Sequence, residues 1–183
     1  MDTLRTERLI LGPLTPSDSE ELFAARGDQE VMAFWDGPPD TTPSETAAIV
    51  ELLLADVRLG TAQYWCVRLQ HDASFVGICD LSEIRDGETA DIGFMILRRF
   101  WGMGFGSEIV SSLLTHATSL GLKRILARIH TGNARSRQLL LGSGFQLVRS
   151  SQRYEIPPGI FRDCELYVAG LLPDQPGDLQ PQY

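Results

Sequence analysis

The chain has 183 residues, 43% of them apolar and 22% charged, which is the make-up of one well-packed soluble domain. No apolar run reaches the roughly 18 residues that span a bilayer. MDTLRTERLILGPL lacks the basic start and apolar core of a signal peptide, so a cytoplasmic protein with no membrane partner is expected. The net charge of −8 argues against nucleic acid as a partner and favours cationic small molecules or amines.

RTERLILGPL alternates polar and apolar residues up to Pro13 and reads as a strand over 6–12. TPSDSEELFAARGD brings capping residues, Pro16 and the apolar Leu22, Phe23 and Ala25 of a short helix stopped at Gly27. After a turn signal at Asp36 to Pro39, a longer helix starts at Ser44 and ends at Gly60. AQYWCVRLQ and SFVGICDLSEI, rich in β-branched and aromatic residues and joined by HDAS, make a hairpin. ADIGFMIL, residues 90–97, is a further strand after the turn RDGET. Val110, Leu113, Leu114 and Ala117 form a helical stripe within residues 107–120, which Gly121 ends. KRILARIH sets Ile125, Ala127 and Ile129 on one strand face. Asn133 then caps a helix reaching about Leu141, and GSGF leads to two strands near 145–154 and 161–169. PDQPGDLQPQY, residues 173–183, holds too little apolar surface to order itself and is expected as a tail behind a domain over 1–172. This order of elements is that of a mixed sheet flanked by helices, an α/β or α+β domain.

Cys66, Cys79 and Cys164 are widely spaced in apolar, strand-like stretches, with no CxxC pair and no histidine cluster. They read as small core hydrophobes, and no metal is expected.

The stretch RRFWGMGFGSEIV, residues 98–110, puts Gly102, Gly104 and Gly106 between a strand and a helix. Unpaired N–H groups at a helix start, with glycines that let an oxygen approach, make an anion site whose usual guest is phosphate. A Walker loop requires GK[ST], and Gly106 is followed by Ser107 and Glu108; a dinucleotide fingerprint requires its third glycine one residue later. A tight strand-to-helix connection alone would account for one or two of the glycines.

Arg99, Gly102 and Gly104 match in register the RxxGxG motif of the GNAT acetyltransferases. ADIGFMILRRFWGMGFGSE resembles their ribosomal-protein N-terminal acetyltransferase (RimJ/RimL-type) branch. TERLILGPLTPSDSEELF resembles that branch's opening strand and helix, and GNARSRQLLLGSGFQLV its closing NxxSxxLxxxxGF segment. The resemblance implies a GNAT fold, a mostly antiparallel sheet of about six to seven strands flanked by helices. It also implies acetyl-CoA as co-substrate. The loop Arg99, Gly102, Met103, Gly104, Phe105, Gly106 and Ser107 would face the pyrophosphate, and the backbone of Met95, Ile96 and Leu97 would face the pantetheine. Asn133 and Ser136 would lie near the thioester, although a helix cap and a first-turn residue describe them equally well.

The implied reaction is attack of a neutral primary amine on the thioester in a ternary complex, which requires a base. Asp91 stands where many members carry a glutamate base; being shorter by one methylene, it favours a water relay, and Glu83 is the competing carboxylate. Leu140 stands where many relatives carry a tyrosine, which leaves Ser136 to steady the departing sulfur. Trp35 and Asp36 lie where the acceptor-side helices meet, so Asp36 could greet a cationic amine or only start its turn. His130, at a strand end, could relay a proton or make a structural hydrogen bond. The acceptor is a protein N-terminal α-amino group or a small cationic amine, and the chain a monomer or homodimer. The alternative is a domain of the same fold that binds acyl-CoA without turnover.

Overall fold

The computed structural model describes residues 1–85, 87–155 and 161–171; the expected tail at 173–183 lies outside them. Eight strands of the described residues form one sheet: β1 (Leu4–Arg5), β2 (Leu9–Pro13), β3 (Gln63–Leu69), β4 (Phe75–Arg85), β5 (Thr89–Ile96), β6 (Arg124–His130), β7 (Gln146–Glu155) and β8 (Phe161–Gly170). Their order across the sheet is β1-β2-β3-β4-β5-β6-β8-β7. Every neighbouring pair is antiparallel except β5 and β6. Five α-helices accompany them among the described residues: α1 (Ser19–Arg26), α2 (Gln29–Met32), α3 (Pro43–Leu59), α4 (Phe105–Ser119) and α5 (Ala134–Gly142).

The expected mixed, mostly antiparallel sheet flanked by helices is present, with one strand more than anticipated. The strand expected over 6–12 is broken at its start. Thr6 turns the chain back on itself: its N–H donates to the Leu9 carbonyl at 3.0 Å, and its Oγ1 accepts from the Leu9 N–H at 2.9 Å. Leu4 and Arg5 then pair with Leu11 and Ile10 as a separate short strand.

The core lies on both faces of the sheet. On one face Trp65, Cys79 and Leu81 pack with Ile109, Val110 and Leu113 of α4 and Leu140 of α5. This is the predicted helical stripe, to which Ile109 is added. On the other face Tyr64, Cys66, Ile78 and Met95 pack with Leu22 and Ala25 of α1, Val31 of α2 and Val50 of α3. Thr42 caps α3 by accepting from the Glu45 N–H, and Gly60 closes that helix with φ 75°, a conformation in which an added Cβ would be strained. All three cysteines are buried and free.

Candidate active site

Strand β5 pairs with β6 at three positions, Thr89 with Arg124, Ala90 with Ile125 and Asp91 with Leu126. Beyond them β5 stays bonded to β4 as far as Ile96, and β6 stays bonded to β8 as far as His130. The two strands therefore part company after Asp91 and Leu126. A cavity of about 760 Å³ occupies the region, reaching from α1 and α3 past Asp80, Asp91 and Gly93 to Asn133, Ser136 and Leu140 of α5. Leu97 donates its N–H to the Val76 carbonyl on β4 at 2.9 Å, so by strand alternation the backbone of Ile96 faces the gap. There the Trp101 indole N–H donates to the Ile96 carbonyl at 2.8 Å. Of the expected trio Met95, Ile96 and Leu97, Ile96 is the residue whose backbone is turned away from β4, while the Met95 side chain packs under α1 to α3.

The glycine loop sits at the end of β5. Gly102 and Gly104 take φ of 76° and 81°, values that need glycine, and Gly104 is the residue from which α4 starts. The first N–H of α4 to bond within the helix is that of Glu108, to the Gly104 carbonyl at 3.2 Å. The N–H groups of Phe105, Gly106 and Ser107 precede that ladder, at the positive end of the dipole of a 15-residue helix. Gly102, Met103, Gly104 and Ser107 are open to solvent. At Gly106 the missing side chain leaves room for the Leu139 Cδ1 of α5, which would have to move aside for a Cβ. The loop is tied down from the other end of the chain. Arg8 donates to the Met103 carbonyl at 2.9 Å, pairs with Glu108 at 2.8 Å and stacks 4.5 Å from the Phe105 ring centroid. Glu108 also accepts from the Thr6 hydroxyl. Dehydration raises the Glu108 carboxyl, but the hydrogen bonds from Thr6 and Arg8 outweigh it and hold it below its usual range. Arg99 turns its guanidinium back to the Phe75 carbonyl at 3.2 Å, and Arg135 of α5 lies 4.6 Å from the Trp101 ring centroid.

Asp80, Gly93 and Asp91 share the face covered by α1 to α3, since Tyr64 pairs with Asp80, Asp80 with Gly93, and Ser82 with Asp91. Asp91 Oδ1 lies 2.5 Å from Arg85 Nη2, and its Oδ2 is 3.9 Å from Arg128 Nη2. Burial pushes the Asp91 carboxyl up, and Arg85 only partly offsets the rise. Arg85 reaches Asp91 because β4 bulges: Glu83 and Ile84 together oppose Ala90, with Glu83 in the left-handed region at φ 50°. The Glu83 side chain is 67% exposed at the cavity rim, whereas that of Asp91 is 15% exposed.

Asn133 caps α5, its Oδ1 accepting from the Ser136 N–H at 3.1 Å, and both residues line the cavity. Trp35 and Asp36 line the same cavity near the start of α5. Asp36 Oδ1 is 3.2 Å from His130 Nε2, and Phe34 meets the His130 ring edge-on. The cavity thus brings together Trp35, Asp36, Glu83, Asp91, Asn133 and Ser136. Among the described residues no group of three or more His, Cys, Asp or Glu side chains is placed to hold a metal ion.

Residues 8–146 match the family model of the acetyltransferase (GNAT) domain. The chain belongs to the GNAT acetyltransferases. Over 175 residues, 94% of this chain and 97% of its relative, it is 31% identical to an uncharacterized N-acetyltransferase, p20, of Bacillus licheniformis. Among solved structures its fold resembles RimL, a ribosomal L7/L12 alpha-N-protein acetyltransferase in complex with coenzyme A. The TM-score is 0.82 at 20% identity, covering 92% of this chain and 98% of that one. It also resembles a spermidine N-acetyltransferase from Vibrio cholerae in complex with CoA and spermine. Here the TM-score is 0.77 at 19% identity, covering 89% and 95%. The protein is an acyl-CoA-dependent N-acetyltransferase.

Within this GNAT domain four side chains escaped the sequence reading. Arg8 and Glu108 lie 100 residues apart, and nothing local announces that they meet. Arg85 reaches Asp91 only through the bulge. Asp80 did leave a signal, an acid inside the apolar run FVGICDL, where a charge is rarely placed without purpose. Burial raises its carboxyl to about 6, further lifted by the neighbouring Asp91, with Ser82 and the Gly93 N–H pulling it back.

Proposed function

We propose that this enzyme moves the acetyl group of acetyl-CoA directly onto a primary amine in a ternary complex. The thioester arm enters where β5 leaves β6, and the amine arrives from the side of α1 to α3. The observation that carries this reading is the parting of the two strands beside a loop whose left-handed glycines open onto a helix start. An extended, amide-bearing arm suits that gap as a surrogate strand, meeting the exposed edge of β5 at the Ile96 backbone, between Met95 and Leu97. The pyrophosphate suits the loop from Arg99 and Gly102 through Met103, Gly104, Phe105 and Gly106 to Ser107, where helix N–H groups lack partners within their own helix. Asn133 and Ser136 border the thioester end, and the Ser136 hydroxyl can steady a departing thiolate.

On the acceptor side Asp36, Asp80, Glu83 and Asp91 line the walls, together with Trp35. Carboxylates in a recessed site draw in a cation, so the acceptor is an ammonium, either a protein N-terminal α-amino group or a small cationic amine. The attack needs that ammonium neutral, and hence a carboxylate to accept its proton, Asp91 being the one expected from sequence.

Thermal unfolding with acetyl-CoA, CoA, ATP and NAD side by side tests the cofactor reading, repeated on Gly104→Glu. The added side chain takes a left-handed position and brings a negative charge to the loop. Stabilisation by the two CoA species alone, lost in the variant, is expected. Absence of any CoA shift at saturation would remove the assignment.

A further inference from the structure

We propose that Asp80 is the general base of the transfer, the group that takes the proton from the incoming ammonium. The inference rests on the cofactor reading above and adds to it a residue that neither the RxxGxG motif nor the Asp91 position points to.

The geometry begins at Gly93. A Cβ at that position would lie 2.5 Å from Asp80 Oδ1 and 3.2 Å from both Cγ and Oδ2. The Asp80 carboxyl therefore lies over the Gly93 backbone, in the space any other residue would fill. Gly93 is two residues beyond Asp91, the last point at which β5 pairs with β6. Asp80 thus sits on the acceptor side of the gap, lining the same cavity as Asn133 and Ser136.

The charged and titratable groups around it separate its behaviour from that of Asp91. On β4 and β5, Asp91 is occupied by Arg85 at 2.5 Å and faced by Arg128 of β6 at 3.9 Å, so a cation already competes for its lone pairs. The groups that act on Asp80 include no cation: Ser82 and the Gly93 N–H, both uncharged, lower its carboxyl, and the negative charge of Asp91 raises it. From β3, Tyr64 faces it with a phenol that burial pushes well above its ordinary value, helped by the charges of Asp80, Asp56 of α3 and Glu83. Cys79, next to it on β4, is likewise pushed up by burial and then by Asp80. With its carboxyl raised to about 6, Asp80 is ionised at neutral pH yet basic enough to accept a proton, the condition a general base meets best.

The step balances without a further reactant. The Asp80 carboxylate takes one proton from the ammonium, and the amine lone pair forms the N–C bond to the acetyl carbon. The C–S bond breaks with its electron pair on sulfur. The second proton of the attacking nitrogen goes to the thiolate, and Asp80 returns its proton to water.

The test has two readouts. In the first, kcat/KM is measured against pH for the wild type, Asp80→Asn and Asp91→Asn, with acetyl-CoA and either spermidine or a serine-initiated peptide as probe. Asp80→Asn should fall by roughly 10²–10⁴-fold and lose the acidic limb near pH 6. Asp80→Glu should recover part of the rate, and CoA should still stabilise Asp80→Asn thermally. Asp91→Asn should keep the acidic limb, shifted to lower pH by loss of the neighbouring charge. In the second, carboxyl ¹³C NMR follows Asp80 in the CoA-loaded wild type and needs no acceptor. A midpoint within about one unit of 6 is expected. A midpoint below about 5, or an Asp80→Asn rate within about threefold of wild type with its acidic limb intact, overturns the proposal. Failure of the cofactor reading has a different signature, a wild-type protein that CoA does not stabilise.

Discussion

Replacing Gly77 by alanine tests how closely β4 and β5 are packed beside the gap. An added Cβ would lie 2.9 Å from the Met95 carbonyl carbon and 3.0 Å from the Ile96 Cα, with the Met95 oxygen nearer still. All of these are backbone atoms, so no side-chain rotation relieves the clash. To regain ordinary carbon contacts of about 3.5–4 Å, the end of β5 must retreat by about 1 Å. That retreat stretches the bond from the Leu97 N–H to the Val76 carbonyl, now 2.9 Å, past hydrogen-bonding length. Overpacking of this kind costs roughly 1–3 kcal/mol and the lost backbone bond about 1 kcal/mol, giving about 2–4 kcal/mol in all. For a chain of this size the loss corresponds to a fall in Tm of roughly 5–15 °C, readable by circular dichroism, and urea unfolding should give the same loss at unchanged m. Because Ile96 lies on the gap edge of β5, CoA affinity should fall as well. A Tm within about 2 °C of wild type, with undiminished CoA binding, would refute the reasoning by showing that β5 yields at little cost.

Glu108→Gln keeps the shape of the tie between β2 and the glycine loop but removes its charge, and should cost about 1–2 kcal/mol at neutral pH. Because the folded-state Glu108 carboxyl is held low, the wild type has this advantage above the ordinary value of 4.5 and loses it as pH falls through the lower folded value. The two unfolding curves should therefore converge in acid, and a gap independent of pH would be contrary evidence. Asp80 has the opposite sign. Its carboxyl is raised from 3.8 to about 6, so its contribution is complete below 3.8 and disappears as pH rises through 6. Asp80→Asn should be the more stable protein at pH 8 by on the order of 2 kcal/mol, with the difference vanishing near pH 4; equal stability at both would contradict the burial cost.

Much of the fold was legible because its elements announce themselves locally. The stripe Val110, Leu113 and Ala117, the cap at Asn133 and the stop at Gly60 stand where periodicity and capping put them. The break at Thr6 was not legible, because it arises from a side chain competing for the Leu9 N–H inside an otherwise regular alternation. At the site, the glycine run told of an open loop at a helix start, and Gly102 and Gly104 build it with left-handed backbone. Gly106 carried a mixed message, since its missing side chain also makes room for Leu139. What escaped is what depends on distance along the chain: Arg85 brought onto Asp91 by a bulge, and Asp80 accommodated by Gly93 on the next strand.

The tie between Arg8 and Glu108 also bears on the order of assembly. The loop at Gly102 to Gly104 is braced by a residue almost a hundred positions earlier, so it stays incomplete until the first strands and α4 have met. Contacts of such long separation form late, after the closure entropy of the intervening chain has been overcome. A ligand of this loop therefore has no template on a partly synthesised or partly refolded chain, and it stabilises the assembled sheet rather than guiding its assembly.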